Sequence, residues 1–289
     1  MGLKHEIKHE LNYVLFSLKN VFKYKEKVVI PVYNDELLKG RCALILGGTS
    51  GIGLSIANLF AQNQCDLVIT GRNTAKLDKI KQEFEKKYKV SIVTVELDLR
   101  NVSNFDKVII NAHNLINKKI DILVNNAGIM SECTFGNTTE EDFDDVLQTN
   151  LKGIYMFSQA FIKYMLKNKI KGNILNISST SENRPVLNPY SLSKWSIKGF
   201  TIGLAKKYYD KGIVVNAIAP GPTATKMLLK DKSKNSLSLS QYPLDRYVTP
   251  EEIANVALFL TSSMGRMIVG QTIFVSGGIG VTTIDDINY

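Results

Sequence analysis

Short apolar runs rich in Val, Ile and Leu alternate with longer helical patterns from about residue 40 onward. Continuous apolar runs are typical of strands buried on both faces of a parallel sheet, and the helices between them supply the crossovers. The predicted strands are 42–46, 66–70, 91–97, 121–124, 172–177, 213–218 and 271–275, and the predicted helices are 51–63, 74–88, 102–117, 140–167, 188–209 and 250–262. This order predicts one doubly wound α/β domain, a seven-stranded parallel sheet with helices on both faces.

Two segments lie outside this alternation. Residues 1–39 carry apolar side chains at spacings of three and four residues, which is typical of an amphipathic helix. These side chains are Leu11, Leu15, Leu18 and Phe22. We expect an N-terminal helical arm, 1–39, that packs on its own domain or on a neighbouring subunit, with weak contact to a membrane surface as the alternative. Residues 226–247 are polar and rich in Lys and Ser, which favours a flap over a site.

The main domain is expected over 40–281, followed by a C-terminal tail, 282–289. The composition, with 44% hydrophobic and 22% charged residues, is that of an ordinary soluble globular protein. The formal charge of +9 comes from lysines that alternate with acidic residues, as along 79–87. This pattern indicates solvated helix faces, so we expect no nucleic acid as a partner.

The cysteine and histidine positions favour neither a disulfide framework nor a metal site. The three cysteines form no CxxC spacing, which is typical of reduced thiols in a cytoplasmic protein. They are Cys42, Cys65 and Cys133. His5 and His9 stand at helical spacing and His113 is isolated, so no metal-ligand set is complete. Because no stretch approaches about eighteen apolar residues and the N-terminus is too polar for a secretory signal, a cytoplasmic location is expected.

A glycine-rich turn at 47–53 connects the first predicted strand to the first predicted helix. Its sequence is Gly-Gly-Thr-Ser-Gly-Ile-Gly. Glycines let the backbone turn sharply and approach a pyrophosphate, and the helix N-terminus directs its free N–H groups at the same anion. A purely structural turn also needs glycine, but the position between a strand and a helix favours nucleotide binding.

Tyr190 and Lys194 form a YxxxK pattern in the predicted helix 188–209. Residues four apart lie on one helix face, so both side chains reach the same cleft. The Lys194 ammonium is expected to lower the pKa of the Tyr190 phenol towards working pH. The phenol then donates a proton to a developing alkoxide or accepts one from an alcohol. YxxxK alone is common by chance on amphipathic helices, so its meaning depends on the other motifs.

Those other motifs occur in a fixed order. The glycine spacing is GxxxGxG, and it is followed by Asn-Asn-Ala-Gly at 125–128, a strand ending in two serines, the YxxxK pair and a Pro-Gly pair after the sixth strand. Over about residues 40–280 the sequence resembles the classical short-chain dehydrogenase/reductases, with a likeness to 3-oxoacyl-acyl-carrier-protein reductases. The resemblance implies a Rossmann-like fold and hydride transfer between nicotinamide and a carbonyl or alcohol carbon of a small-molecule substrate.

The resemblance also implies roles for individual residues. Tyr190 acts as the acid/base, Ser179 holds the substrate oxygen, and Asn150 and Lys194 complete a proton relay to solvent. Ser178 stays an alternative to Ser179, because the segment up to Tyr190 is slightly shorter than in many relatives. The residues expected to bind the cofactor are Gly47, Thr49, Ser50, Gly51, Ile52, Gly53, Arg72, Asp98, Leu99, Asn125, Ala127, Gly128, Tyr190, Lys194, Pro220, Gly221, Thr223 and Thr225.

Three positions depart from the family pattern. Leu46 stands where Thr is common, and Asp245 and Ser276 stand where Gly and Asp are common. The loss of Thr at the first of these positions removes one hydrogen bond that orders the glycine loop. The glycine pattern itself is intact.

The expected cofactor is NADP(H). An acidic residue at the end of the second strand would bind the adenosine ribose and repel a 2′-phosphate, but Gly71 stands there and leaves the position uncharged and roomy. Arg72 follows directly and offers a guanidinium to that phosphate. The alternative interpretation is that Arg72 only begins a solvent-facing helix.

Two other function classes remain open from the sequence. One is a nucleotide-binding regulatory protein on the same fold, because fold does not determine function. The other is an NAD-dependent sugar-modifying enzyme, which shares the tyrosine and lysine but usually has a different glycine spacing. The sequence does not name the substrate. Helices 140–167 and 188–209 are expected to build a homodimer or homotetramer, as in similar proteins.

Overall fold

The computed structural model describes residues 36–225, 227–228, 244 and 246–280. Most of the expected N-terminal arm, most of the segment 226–247 and the tail 282–289 lie outside the described residues.

The described residues contain one sheet of seven parallel strands. The strands are β1 (Cys42–Leu46), β2 (Asp66–Gly71), β3 (Ile92–Glu96), β4 (Ile122–Asn125), β5 (Gly172–Ile177), β6 (Ile213–Pro220) and β7 (Thr272–Val275). Their order across the sheet is β3-β2-β1-β4-β5-β6-β7, so β1 pairs with β2 on one side and with β4 on the other. Successive strands are added in opposite directions from β1, and a ligand crevice opens beyond the carboxyl ends at such a reversal.

Seven α-helices connect these strands within the described residues. They are α1 (Gly51–Gln62), α2 (Thr74–Lys87), α3 (Phe105–Ile116), α4 (Glu140–Leu147), α5 (Ile154–Lys167), α6 (Pro189–Tyr208) and α7 (Pro250–Thr261). Side-chain caps determine where several helices begin. Thr139 and Thr249 form capping boxes at the N-termini of α4 and α7, and Asn188 caps α6 ahead of Pro189.

Helices cover both faces of the sheet, as the sequence predicts, and each face has its own apolar core. One core lies between the sheet and α3, α5 and α6, and the other between the sheet and α1, α2 and α7. The large side chains that fill them are Phe105, Phe157 and Phe161 in the first core and Phe60, Leu77 and Ile253 in the second. All five residues of β1 are buried, which is why this strand reads as a continuous apolar run.

The predicted helix 140–167 is two helices joined by a π-helical turn, Gln148–Gly153. A Cβ at Gly153 would lie 2.6 Å from the Leu99 carbonyl oxygen, so the turn packs closely against the chain after β3. Within the turn, the Asn150 side chain bonds both backbone polar groups of Ile129. Tertiary contacts therefore fix this interruption, and such turns are frequent at functional sites.

A polar clamp at the amino edge of the sheet holds β1, β4, β5 and α7 together. Arg41 forms an ion pair with Asp121, donates to Asn173 Oδ1 over 2.9 Å and donates to the Thr261 carbonyl over 3.3 Å. Asp121 also accepts from the Cys42 amide over 2.9 Å. The partners satisfy one another, so these half-buried charges are accommodated beside the core.

Candidate active site

A cleft of about 450 Å³ opens beyond the carboxyl ends of the strands. It is lined by most of the sequence-predicted site residues: Gly47, Thr49, Ser50, Gly51, Ile52, Arg72, Asp98, Leu99, Ala127, Gly128, Ser179, Tyr190, Lys194, Pro220, Gly221, Thr223 and Thr225. The fold thus brings together segments that are far apart in the chain. Gly53, Asn125 and Asn150 are the predicted residues that do not line this cleft.

The glycine turn forms a close-fitting cradle at one end of the cleft. Gly47 and Gly51 adopt left-handed backbone conformations, with φ of +70° and +53°. A Cβ at Gly47 would lie 2.9 Å from the Ala127 Cα atom, so a side chain there would close the floor of the cleft. Ser50 caps α1 without a side-chain hydrogen bond to the first turn. The free N–H groups of that turn suit the pyrophosphate of a dinucleotide.

Gly53 shapes this cradle from behind. A Cβ there would lie 2.4 Å from the Gly47 carbonyl oxygen and from the Asn126 Nδ2 atom. The residue is therefore needed for the close packing of α1 on the loop, and a direct cofactor contact at Gly53 stays a prediction. Its lack of a side chain is what the loop requires.

Asn125 also lies behind the cleft wall and not in it. Its Nδ2 atom donates to Ser158 Oγ over 2.9 Å and to Asn176 Oδ1 over 2.7 Å, which ties β4 to β5 and α5. The next residue, Asn126, lines the cleft and donates to the carbonyls of Leu46 and Gly47 over 3.2 and 3.0 Å. The structure therefore has Asn126, and not Asn125, in the lining of the cleft, and the cofactor contact of Asn125 stays a prediction.

The Asn126 bonds hold the backbone of the glycine loop at Leu46 and Gly47, beside the position where the sequence predicts a lost hydrogen bond. The signal for Asn126 is present in the sequence, in the Asn-Asn-Ala-Gly segment, but which asparagine faces the cleft depends on the strand pleat.

Tyr190 and Lys194 lie one turn apart on α6, as the sequence predicts, and both face the cleft. The Lys194 Nζ atom lies 5.5 Å from the centroid of the Tyr190 ring and donates to the Ile177 carbonyl over 2.9 Å. The Ser179 hydroxyl donates to Ser181 Oγ over 3.2 Å and lowers the pKa of the Tyr190 phenol by hydrogen bonding, whereas the Ser178 hydroxyl donates to the Lys194 carbonyl over 3.4 Å. This geometry favours Ser179 over Ser178 as the partner of Tyr190.

The electrostatics of this pair differ from the sequence expectation. Burial raises the pKa of Tyr190 above its usual value, and the hydrogen bond with Ser179 offsets only part of that effect. In contrast to the sequence prediction, the pKa of Tyr190 is therefore not lowered towards working pH, because burial outweighs the opposing effects in the cleft. Burial lowers the pKa of Lys194 itself to about 8, against a smaller opposite effect of the Glu182 carboxylate. Tyr190 is consequently held in the protonated, proton-donating form.

Asn150 lies in the π-helical turn and is buried. Its Oδ1 atom accepts from the Ile129 amide and its Nδ2 atom donates to the Ile129 carbonyl, both over 2.8 Å. Because the side chain is engaged in this way, it fixes the loop that forms the cleft wall at Gly128. The predicted role of Asn150 in a proton relay stays a prediction.

The end of the cleft beyond β2 and β3 carries charged side chains. Arg72 is exposed just after Gly71, and no hydrogen bond or ion pair holds its guanidinium among the described residues. Asp98 forms an ion pair with Arg100 over 2.9 Å, and Arg100 holds the pKa of Asp98 below its usual value. The expected room at Gly71 is not there, because a Cβ would lie 2.7 Å from Thr49 Cγ2.

The described part of the chain contains neither a membrane-spanning helix nor a metal site. It contains no helix that is long and apolar enough to cross a membrane. It also contains no group of His, Cys, Asp and Glu side chains arranged to hold a metal ion.

Comparisons with known proteins find similarity to reductases. A family model described as "Enoyl-(Acyl carrier protein) reductase" matches residues 47–280. The 3-oxoacyl-[acyl-carrier-protein] reductase FabG of Aquifex aeolicus is 37% identical over 247 residues, which cover 84% of this chain and 98% of that protein.

Solved structures agree with this. A gluconate 5-dehydrogenase from Burkholderia cenocepacia in complex with NADP and tartrate is similar with a TM-score of 0.77 and 30% identity, over 86% of this chain and 98% of that one. A 3-ketoacyl-(acyl-carrier-protein) reductase from Brucella melitensis complexed with NADH has a TM-score of 0.75 and 29% identity, over 84% of this chain and 99% of that one.

Proposed function

Because the chain belongs to the short-chain dehydrogenase/reductase family of oxidoreductases, we propose that it interconverts a ketone and a secondary alcohol with NADP(H) as cofactor and Tyr190 as acid/base. The main observation in favour of this proposal is that Ser179, Tyr190 and Lys194 line the same cleft as the glycine turn. Retention of all three side chains in one cleft argues against a binding protein without catalysis.

The residues present fit a nicotinamide dinucleotide. The first turn of α1 would hold the pyrophosphate, Arg72 the 2′-phosphate, and Thr225 with the backbone near Pro220 the carboxamide. The nicotinamide ring supplies or accepts the hydride when bound. The protein orients the reactants and handles the proton.

In the direction of reduction, Tyr190 donates its phenolic proton to the substrate oxygen as the carbonyl double bond becomes a C–O single bond. The raised pKa of Tyr190 keeps that proton available. The Ser179 hydroxyl stabilises the developing negative charge on the same oxygen. The charged form of Lys194 stabilises the phenolate left on Tyr190, which is then reprotonated from solvent.

An apolar rim beside the cleft favours a substrate with an apolar chain over a sugar. The rim consists of Met130, which lines the cleft, and of Phe135, Val186 and Leu187 in the loops that continue from the cleft wall; all four are exposed, and Phe135 is 85% exposed. The two loops that carry it are joined, since the Phe135 amide donates to the Leu187 carbonyl over 2.6 Å. Exposed apolar clusters beside a cleft are typical of binding surfaces.

The rim has its own test. Phe135→Ser should raise the KM for a ketone with a long apolar chain about tenfold, because the contact of one large side chain is lost. The KM for a small ketone should change little, and this serves as the internal control. Equal effects on both ketones, or turnover of sugars alone, would contradict the assignment of the rim.

The function itself is tested by NADPH oxidation with a panel of ketones. Tyr190→Phe should reduce kcat at least about a hundredfold, because it removes the proton donor. The dissociation constant for NADPH should change less than about threefold, since the cofactor loop is untouched. A Tyr190→Phe enzyme with wild-type kcat would remove Tyr190 from the mechanism.

A further inference from the structure

Glu182 lies close in the chain to Ser179, yet it has no role in the reaction described above. It belongs to a 3₁₀ turn, Thr180–Asn183, that begins directly after Ser179. The Glu182 amide donates to the Ser179 carbonyl over 3.0 Å. The side chain is fully buried, and neither carboxyl oxygen lies in hydrogen-bond geometry with a partner among the described residues. Burial raises the pKa of this carboxyl group above its usual value. A carboxyl group placed in this way is unfavourable unless a nearby opposite charge compensates it.

Two positive charges on α6 oppose this effect of burial on Glu182. They are the ammonium groups of Lys194 and Lys198, and Lys198 is held nearby because it donates to Asn183 Oδ1 over 2.7 Å. Strands β6 and β7 and residues 276–280, which surround the rest of the turn, carry no titratable side chain. The other polar neighbours are the neutral hydroxyls of Ser178 and Thr272. The 3₁₀ turn therefore brings one buried acidic group to the catalytic lysine.

We propose that Glu182 is a positioning residue for the reaction, whose buried carboxylate keeps Lys194 in its charged form beneath Tyr190. Burial favours the neutral form of Lys194, and a negative charge beside the ammonium opposes that effect. Through its backbone, the same residue holds the strand end that carries Ser179. This inference rests on the proposed function, because it concerns the lysine of the same site.

The direction of the pH effect follows from the charges. Lys194 is charged below its pKa of about 8 and loses its proton as the pH rises through that value. Removing the negative charge at position 182 lowers this pKa further, so the charged form disappears at lower pH. In Glu182→Gln, the alkaline limb of the kcat profile should move down by about one pH unit, with about a fivefold loss at pH 8 and little change at pH 6.

The experiment compares pH profiles of kcat for the full-length wild type and three variants. Glu182→Gln removes the charge with the shape kept, Glu182→Asp keeps the charge, and Glu85→Gln removes an exposed charge on α2 as the matched control. We expect the downward shift in Glu182→Gln only. A Glu182→Gln profile that superimposes on that of the wild type, or an equal shift in Glu182→Asp, would overturn the proposal.

A second measurement needs no turnover and no folded Glu182→Gln. Carbon-13 NMR titration of the wild type follows the Lys194 ε-carbon and the Glu182 carboxyl carbon, assigned with Lys194→Arg and Glu182→Asp. Glu182 should be ionised over the range in which Lys194 titrates, and a Glu182 carboxyl that stays protonated to pH 8 would overturn the proposal. If the chain reduces no ketone but the two groups titrate as expected, the proposed function fails and the charge relation stands.

Discussion

Thr49 and Gly71 lie close together at the end of the cleft beyond β2, and under the proposed function this contact limits how the cofactor preference can be changed. A Cβ at Gly71 would lie 2.7 Å from Thr49 Cγ2. Gly71→Asp alone should therefore displace Thr49 and weaken the use of both NADPH and NADH. Gly71→Asp combined with Thr49→Ser, which removes the obstructing methyl group, should accept NADH and reject NADPH by charge repulsion. Steady-state kcat/KM values for both cofactors check this, and a single Gly71→Asp variant with full NADH activity would contradict it.

A second prediction on cofactor preference concerns Arg72. Charge-assisted hydrogen bonds contribute on the order of 1.5–3 kcal/mol, so Arg72→Ala should reduce kcat/KM for NADPH about ten- to a hundredfold. The value for NADH should change little, because that cofactor has no 2′-phosphate. Lys76→Ala, an exposed charge on the first turn of α2, is the matched control. A wild type that uses NADH as well as NADPH would show that the assignment of Arg72 is wrong.

At the scale of the elements, we expect the ion pair of Arg41 and Asp121 to stabilise the fold. Arg41→Met leaves the half-buried Asp121 carboxylate without its ion pair, and the free energy of unfolding should fall by about 2 kcal/mol. For a domain of this size, the melting temperature should fall by about 5 °C. Lys39→Met breaks only the exposed pair with Glu36 and should change the melting temperature by less than about 2 °C. Equal melting temperatures for the two variants would contradict the role of the clamp.

The strands can be predicted from the sequence, whereas the π-helical turn cannot. The strands follow from apolar runs because a parallel sheet buries both faces, as β1 illustrates. The π-helical turn at Gln148–Gly153 leaves no trace in hydrophobic spacing, because the contacts of Gly153 with Leu99 and of Asn150 with Ile129 fix it. The burial of Glu182 cannot be predicted from the sequence for the same physical reason, because it depends on the packing of remote segments and not on a local pattern.

At the scale of the whole molecule, α5 and α6 present an apolar surface that suits a second copy of the chain. Tyr155 stacks on Phe200 with ring centroids 4.9 Å apart, and Ile202 and Trp195 are exposed nearby along α6. Sedimentation velocity at micromolar concentration should show a dimer or tetramer, and Tyr155→Glu with Ile202→Glu should shift it to smaller species. Leu115→Glu, on the exposed side of α3, is the control that should leave assembly intact. A wild type that sediments as a monomer would contradict the prediction.

The central position of β1 has a consequence for how the chain reaches its native state. Ala43 pairs with Leu67 on one side and with Ile122 on the other, so β1, the first strand among the described residues, meets its second partner only about eighty residues later in the chain. Until β4 emerges, one edge of β1 carries unpaired backbone groups, and closing so long a loop slows folding. Ribosome-bound chains that end before residue 122 should therefore be sensitive to proteases and prone to association, whereas chains that include β4 and β5 should gain protection together.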